Sequence, residues 1–215
     1  MNLLGSPLGQ IWGKNMIRII SGKYKSRQIN TPAGINTRPT TSRVREAVFS
    51  ALNNAYSKEF GNDSFTGARV WDTFAGSGAL GLEALSRGAE VCVFTDVSAS
   101  AIKCIHSNID TLKIPNGEAI VHKSNCLSFN VCKRVFDEAH PNIVLIDAPY
   151  SFLPDKVYKI VENLIYLREN SEGEKDSNLL IYYEHSKNIS GSSWENLDVV
   201  YSRKFGDIIS EIFLA

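Results

Sequence analysis

Cysteine is scarce in this chain and none of it is arranged for a job. The 215 residues hold four, Cys92, Cys104, Cys126 and Cys132. No two stand in a C-x-x-C pair, so neither a zinc site nor a disulfide framework is implied, and no metal is expected. Cys92 and Cys104 sit in apolar segments and read as ordinary buried thiols. This usage fits a reducing cytoplasm. The four histidines, His106, His122, His140 and His185, lack metal-ligand spacing, and no Ser/His/Asp or Cys/His triad is suggested. No apolar run is long enough to span a bilayer and no signal peptide is evident, so a membrane partner is not expected. Acidic residues are missing from one end: residues 1–45 carry Lys14, Arg18, Lys23, Lys25, Arg27, Arg38, Arg43 and Arg45 but no Asp or Glu. The formal net charge of zero therefore hides a basic N-terminal segment and an acidic remainder. Such a segregated face points first to a polyanion, nucleic acid above all, and otherwise to a solvated charged surface.

What is present centres on Val70-Trp71-Asp72-Thr73-Phe74-Ala75-Gly76-Ser77-Gly78-Ala79-Leu80-Gly81. An apolar strand pattern breaks at a loop of small residues, and a helix pattern follows. Strand, glycine loop and helix together present backbone N–H groups and a helix N-terminus to a ligand. Gly76 and Gly78 let the backbone turn tightly, and Gly81 lets the helix sit close to the sheet. The spacing also fits a dinucleotide fingerprint, so alone it does not decide the ligand. Asp96 lies 20 residues after Gly76, at the end of the strand Val91–Asp96, where an acid reaches ribose hydroxyls.

Along the chain, residues 1–15 show no periodicity and read as a disordered extension. Residues 16–30 read as a β-hairpin turning at Ser21-Gly22-Lys23. A helix begins near Thr40 or Thr41, with Val44, Ala47, Val48, Ala51 and Leu52 as its apolar stripe, and Arg43 and Arg45 at its start. The basic hairpin-and-helix unit spans 16–56, residues 57–67 read as a polar linker, and the α/β domain runs over 68–215. Strands are expected near 91–96, 119–122, 142–146 and 179–184, with helices near 99–112, 128–138 and 155–167. Residues 199–204 and 208–214 read as a closing antiparallel hairpin around Phe205-Gly206-Asp207. The fold class is α/β, a mostly parallel Rossmann-like sheet with an antiparallel end. That ending suits a methyltransferase sheet better than a dinucleotide-binding one.

The second motif, Asp147-Ala148-Pro149-Tyr150, closes an apolar strand. An exocyclic amine is a poor nucleophile because its lone pair is delocalised into the ring. As it attacks, the nitrogen becomes tetrahedral and gains charge, and two acceptors aimed at its hydrogens stabilise that state more than the ground state. Asp147 can supply a carboxylate oxygen and a backbone carbonyl within 147–149 the other. Pro149 has fixed φ and no N–H, which stiffens the loop. Tyr150 can stack on a base, a contact worth roughly 1–3 kcal/mol. The same motif would serve N2 of guanine, N6 of adenine or a glutamine amide. A degenerate RNA-binding module and, more remotely, a nicotinamide oxidoreductase are the alternatives from other classes.

Arg18-Ile19-Ile20-Ser21-Gly22, Arg38 to Glu46, Asp72 to Arg87 and Asp147-Ala148-Pro149-Tyr150 fall in the order and spacing of the RsmD family, which the chain resembles from about Arg18 to its C-terminus. The resemblance implies a class I methyltransferase fold, S-adenosylmethionine as donor and N2 of a guanine in 16S ribosomal RNA as acceptor. It further implies an assembling small ribosomal subunit as partner; a monomer is expected. By position, Asp72, Phe74, Ala75, Gly76 and Gly78 would hold the methionine part of the donor and Asp96 its ribose. Asn125 and Cys126 would flank its adenine. Asp147, Pro149 and Tyr150 would hold the guanine. Arg38 and Thr40 would line the site from the N-terminal side; apart from the resemblance, the basic charge of the N-terminal segment makes Arg18, Lys23, Lys25, Arg27 and Arg43 further expected RNA contacts. Two positions depart from the family pattern. Ala148 stands where a first proline is usual, which predicts a softer loop and a lower rate. Asp96 stands where Glu is usual, which predicts a shorter ribose contact and weaker donor affinity.

Overall fold

Near-continuous apolar runs in the central strands predict a sheet covered on both faces, and two separate hydrophobic cores lie against it. The computed structural model describes residues 16–32, 42–173, 178–187 and 192–215. Strands β1 (Ile17–Arg18) and β2 (Gln28–Ile29) form a small antiparallel pair. The main sheet contains β3 (Arg69–Asp72), β4 (Val91–Asp96), β5 (Ala119–Lys123), β6 (Ile143–Asp147), β7 (Leu180–Ser186), β8 (Asp198–Phe205) and β9 (Ile208–Leu214). Their order is β5-β4-β3-β6-β7-β9-β8. The first five are parallel; β9 runs antiparallel to β7, and β8 antiparallel to β9. On β3 and β4, Val70, Cys92 and Phe94 face one core while Trp71 and Val93 face the other. On β6 and β7, Ile143, Leu145, Leu180 and Tyr182 face the first, and Val144, Ile146, Ile181 and Tyr183 the second. The two-residue period of a strand produces this division directly.

Helices α1 (Ser42–Phe60), α2 (Ala79–Ser86) and α3 (Ala99–Leu112) cover the first face; α4 (Phe129–Ala139) and α5 (Pro154–Glu169) cover the second. Ser98 caps α3, its side chain accepting from the Ala101 N–H. A short 3-10 turn at Ser192–Asn196 adds Trp194 to the second core, stacked on Tyr183 at 4.3 Å.

Three details differ from the sequence reading. The hairpin strands are only two residues long, because Ile19 and Ser26 bond each other's neighbourhood through Ile19 N–H to Arg27 O and Ser26 N–H to Ile19 O. The helix α1 runs to Phe60, beyond the start of the expected linker. Tyr56 stacks on Phe60 at 4.6 Å and on Phe65 at 5.9 Å, and this aromatic packing extends the helix past its polar residues. Its buried face is Arg45, Val48, Phe49, Leu52 and Tyr56, rotated from the stripe expected. The cause is the hairpin, which closes over Arg45 and takes a hydrogen bond from its guanidinium at the Arg18 carbonyl, 2.6 Å away. Residues 1–15, Arg38, Thr40 and Thr41 lie outside the described residues.

The hairpin is part of the domain rather than an arm. Ile19 and Ile29 are buried in the same core as Leu82 and Leu85 of α2. Glu83 of α2, wholly buried, accepts from the Ile20 N–H at 2.8 Å and the Ser21 N–H at 3.0 Å. Asn108 of α3 accepts from the Asn30 N–H and donates to the Asn30 and Ser77 carbonyls. Ser77 belongs to the glycine loop, so one asparagine ties the N-terminal segment to that loop.

Candidate active site

The sheet order brings the two motifs to neighbouring strand tips. β3 and β6 are adjacent and parallel, with Asp72 opposite Leu145. The loop after β3 is tied to β6 by the Thr73 N–H and hydroxyl, both donating to the Leu145 carbonyl. Thr95 of β4 donates to the Thr73 carbonyl at 2.8 Å and accepts from the Trp71 indole at 3.0 Å. The loops after β3 and β6 also touch, through Phe74 and Phe152 with ring centroids 5.6 Å apart. The cleft therefore lies at the carboxyl edge of the parallel strands, where open α/β sheets bind ligands.

Each glycine in the first loop answers a local demand. Gly76 and Gly78 take φ of 54° and 77°, in the left-handed region. At Gly81 an added Cβ would lie 2.3 Å from a Phe94 ring carbon and 2.6 Å from the Cys92 sulfur. The helix packs on β4 at a distance that only glycine permits. Asp72 is buried and accepts from the Gly81 N–H at 2.9 Å, which fixes the first turn of α2. Burial, with the charge of Asp96 adding, pushes its carboxyl up to about 7 although the Gly81 N–H opposes this.

Asp96 spends its oxygens on the loop. One accepts from the Gly76 N–H at 2.9 Å and the other from the Ser98 N–H at 2.8 Å. A side chain shorter by one methylene is thus drawn onto backbone amides. Asn125 is exposed and accepts from the Leu127 N–H, while Cys126 is buried in the second core with its thiol pushed well above the ordinary range by burial. Ser124, on the same turn, has a buried hydroxyl oxygen with no hydrogen-bond partner among the described residues.

In the second loop Ala148 is buried and Pro149 and Tyr150 are exposed. The Pro149 carbonyl accepts from the Phe152 N–H at 2.9 Å, closing the turn. Asp147 is half-buried; burial first, then the charges of Glu184 and Asp72, raise its carboxyl well above the usual range. Glu184 is the residue that sequence reading passed over. It sits opposite Asp147 on β7, is buried, and takes hydrogen bonds from the Tyr150 hydroxyl at 3.3 Å and the Tyr182 hydroxyl at 2.8 Å. Its signal was present: an apolar strand ending in an acid, as in β6.

The expected RNA contacts are placed less uniformly. Arg18, Lys23, Lys25, Arg27 and Arg43 are all exposed. Lys23 pairs with Glu118 at 2.7 Å and its N–H donates to the carbonyl of Ser86, the last residue of α2. Arg27 donates to the Thr111 carbonyl near the end of α3. This turn of the hairpin therefore lies one helix length from the glycine loop, about 12 Å at 1.5 Å per residue.

Comparison with known proteins gives this geometry a family. A family model described as "Conserved hypothetical protein 95" matches residues 17–214. The chain belongs to this family, the RsmD family of methyltransferases. "Ribosomal RNA small subunit methyltransferase D" of Escherichia coli K12 is 36% identical over 169 residues, 74% of this chain and 78% of that one. An Escherichia coli structure described as "Putative methyltransferase yhhF" superposes with a TM-score of 0.69 at 30% identity, covering 93% of this chain and 98% of that one. A Thermus thermophilus structure, "16S rRNA N2 G1207 methyltransferase (RsmC) in complex with AdoMet and Guanosine", shares the fold at 15% identity with a TM-score of 0.67 over 98% of this chain and 52% of that one. The fold is that of the class I S-adenosylmethionine-dependent methyltransferases.

Proposed function

We propose that this protein transfers a methyl group from S-adenosylmethionine to the exocyclic N2 amine of a guanine in 16S ribosomal RNA, acting as a cytoplasmic monomer on an assembling small subunit. The observation that carries the reading is the carboxylate of Asp147 at a strand tip directly beside the tip that bears the glycine loop. Family membership supports the same reaction, and the resemblance of the motifs supplies the guanine.

The residues at the first tip fit the donor. The open turn at Gly76 and Gly78 admits the methionine part beside Phe74 and Ala75. Asp96 faces the ribose position, Asn125 and the Cys126 backbone flank the base, and the unpartnered Ser124 hydroxyl supplies one more polar contact there. When bound, S-adenosylmethionine supplies a methyl group already activated by its sulfonium charge. The chain's own task is then to position and to stabilise charge. Asp147 accepts one hydrogen of the amine and a carbonyl of 147–149 the other. Tyr150, half of its surface exposed at 49%, offers its ring to the flipped base while Glu184 holds its hydroxyl. Arg18 and Arg43, with Arg38 and Thr40, would meet the RNA on the N-terminal side, and Lys23, Lys25 and Arg27 a more distant stretch of its backbone.

Labelled-methyl transfer to small ribosomal particles, naked ribosomal RNA and DNA tests this. Label is expected in the particles, at N2 of one guanine. Asp147→Ala is expected to abolish transfer while calorimetry still detects donor binding. Transfer by that variant near the wild-type rate would refute the amine site, and label in adenine would refute the substrate.

A further inference from the structure

At the end of α2 away from the glycine loop, the surface opens into a cavity of about 300 Å³. Helix α1 supplies one wall through Ser50, Asn53 and Asn54, which share a helix face at spacings of three and four. The hairpin turn supplies another through Ser21 and Gly22, and Ser64 and Arg87 close the end. These walls are fixed in place. Gly22 takes φ of 79°, and an added Cβ there would lie 1.7 Å from the Ser86 carbonyl oxygen. The Lys23 N–H donates to that carbonyl and the Tyr24 N–H to the Ser86 hydroxyl. Ser64, at φ of 60°, donates its hydroxyl to the Arg87 carbonyl at 2.8 Å.

The lining has one chemical character. Every side chain in it can donate a hydrogen bond, one is a cation, and no carboxylate is among them. No hydrogen bond joins the side chains of Ser21, Ser50, Asn53 and Asn54 to another described residue. Glu83 takes the Arg87 Nε at 2.8 Å, whereas the exposed Glu46 meets Nη2 only at 3.4 Å. The buried Arg45 guanidinium lies close enough for its charge and that of Arg87 to act on each other. The two arginines thus match Glu83 and Glu46 in number. Such a donor set suits an anion with several acceptor oxygens and serves a cation or an apolar group poorly.

We propose that this cavity holds a phosphodiester of the ribosomal RNA backbone away from the target guanine, with Ser50, Asn53 and Asn54 donating to its oxygens and Arg87 countering its charge. The inference rests on the RNA substrate of the proposed function and extends it to uncharged residues of α1. The exposed Lys23, Lys25 and Arg27 continue from Gly22, so the cavity adjoins a basic track that a polyanion would follow and a free anion would not need. Glu46 is then the ligand's competitor for Arg87.

Asn53→Asp combined with Asn54→Asp keeps the side-chain shapes and puts two negative charges at the cavity. Binding to small-subunit ribosomal RNA, measured without donor, is expected to weaken roughly tenfold or more, with a log–log salt slope shallower by about 0.7–0.9. KM for the particle should rise, with kcat at saturation and donor affinity unchanged. Asn130→Asp, on the exposed side of α4 across the sheet, should change neither affinity nor slope. Glu46→Gln should tighten RNA binding several-fold, a gain that no folding defect produces. A solvated depression predicts wild-type affinity and slope in the double variant. That result in a folded protein, or a loss no larger than that of Asn130→Asp, overturns the proposal. The side-chain amide NMR signals of Asn53 and Asn54 in the wild type should move on adding a short oligoribonucleotide. Movement with inorganic phosphate but not with the oligoribonucleotide would overturn it too. Label in a base other than guanine would remove the proposed function and leave RNA binding to decide the cavity, whereas wild-type protein that binds no ribosomal RNA would overturn both.

Discussion

Glu83 is where the N-terminal segment can be separated from the rest of the molecule. Its side chain is fully buried and accepts three hydrogen bonds, from the Ile20 N–H, the Ser21 N–H and Arg87 Nε at 2.8 Å. The Arg45 guanidinium feels its charge as well. Glu83→Ala leaves two backbone donors without their partner and sets Arg87 and Arg45 against each other under the hairpin. Breaking a buried charged pair from one side costs about 3–5 kcal/mol, more than a neutral hydrogen bond returns. That is a large part of the 5–15 kcal/mol typical of a folded domain. For a chain of this size it corresponds to a fall in Tm of roughly 10 °C. Urea denaturation reads the total. Amide hydrogen exchange should show Ile19 to Ile29 losing protection first, while β3, β4 and β6 keep theirs. Glu83→Gln, which retains one acceptor oxygen, should cost about 1–3 kcal/mol. A Glu83→Ala protein within 1 kcal/mol of wild type, or with unchanged hairpin protection, would refute the account of how the segment is held.

Two further outcomes follow from the glycine loop. Asp72 titrates near 7 in the folded chain against 3.8 for the ordinary group. Its contribution to stability is therefore fully present below about pH 4 and is lost as pH rises through about 7, on the order of 4 kcal/mol at about 1.4 kcal/mol per unit. Asp72→Asn should flatten the wild-type decline in urea midpoint across that window, and an identical slope in the variant would refute the assignment. Gly81→Ala places a methyl inside the contact with Phe94 and Cys92. It should cost about 1–3 kcal/mol and weaken donor binding by calorimetry, and unchanged affinity would show that the α2–β4 spacing does not set the loop.

The strands and their faces were legible in the sequence because each rests on a local pattern. Val70 to Asp72, Val91 to Asp96 and Ile143 to Asp147 alternate between two cores, and a two-residue period needs no knowledge of partners. The closing hairpin was legible for the same reason, through its Gly206 turn. What the sequence hid was non-local. Arg45 looked like a surface charge because its partner, the Arg18 carbonyl, lies 27 residues away. The helix end at Phe60 looked polar because the ring that stacks on it, Tyr56, lies just before the window 57–67 that reads as linker, and Phe65, inside that window, packs on Tyr56 only once the chain has folded back. Glu184 was passed over because its meaning depends on which residue of β6 lies opposite, and parallel register is set by the sheet as a whole. Arg38 and Thr40 lie outside the described residues, so their placement adds nothing to either side.

The sheet order also explains why these acids belong together. Four neighbouring parallel strands, β4, β3, β6 and β7, carry Asp96, Asp72, Asp147 and Glu184 at or near their carboxyl ends. Their charges are felt along the row: Asp96 acts on Asp72, and Asp72 and Glu184 act on Asp147. A row of like charges in a partly buried edge opposes folding, so its persistence calls for a compensating function. Part of the relief comes from the chain, through the Gly81 and Gly76 N–H groups on Asp72 and Asp96 and the positive ends of helices α2 and α3. In the proposed reaction, a sulfonium cation at one end and an amine gaining positive charge at the other are the two species such an edge would stabilise, the single positive charge moving from sulfur to nitrogen as the methyl group passes between them. A donor analogue lacking the positive charge should therefore bind less tightly than S-adenosylmethionine, and the gap should narrow as pH falls below about 7 and the row takes up protons. Equal affinities at all pH values would show that the row does not face the donor.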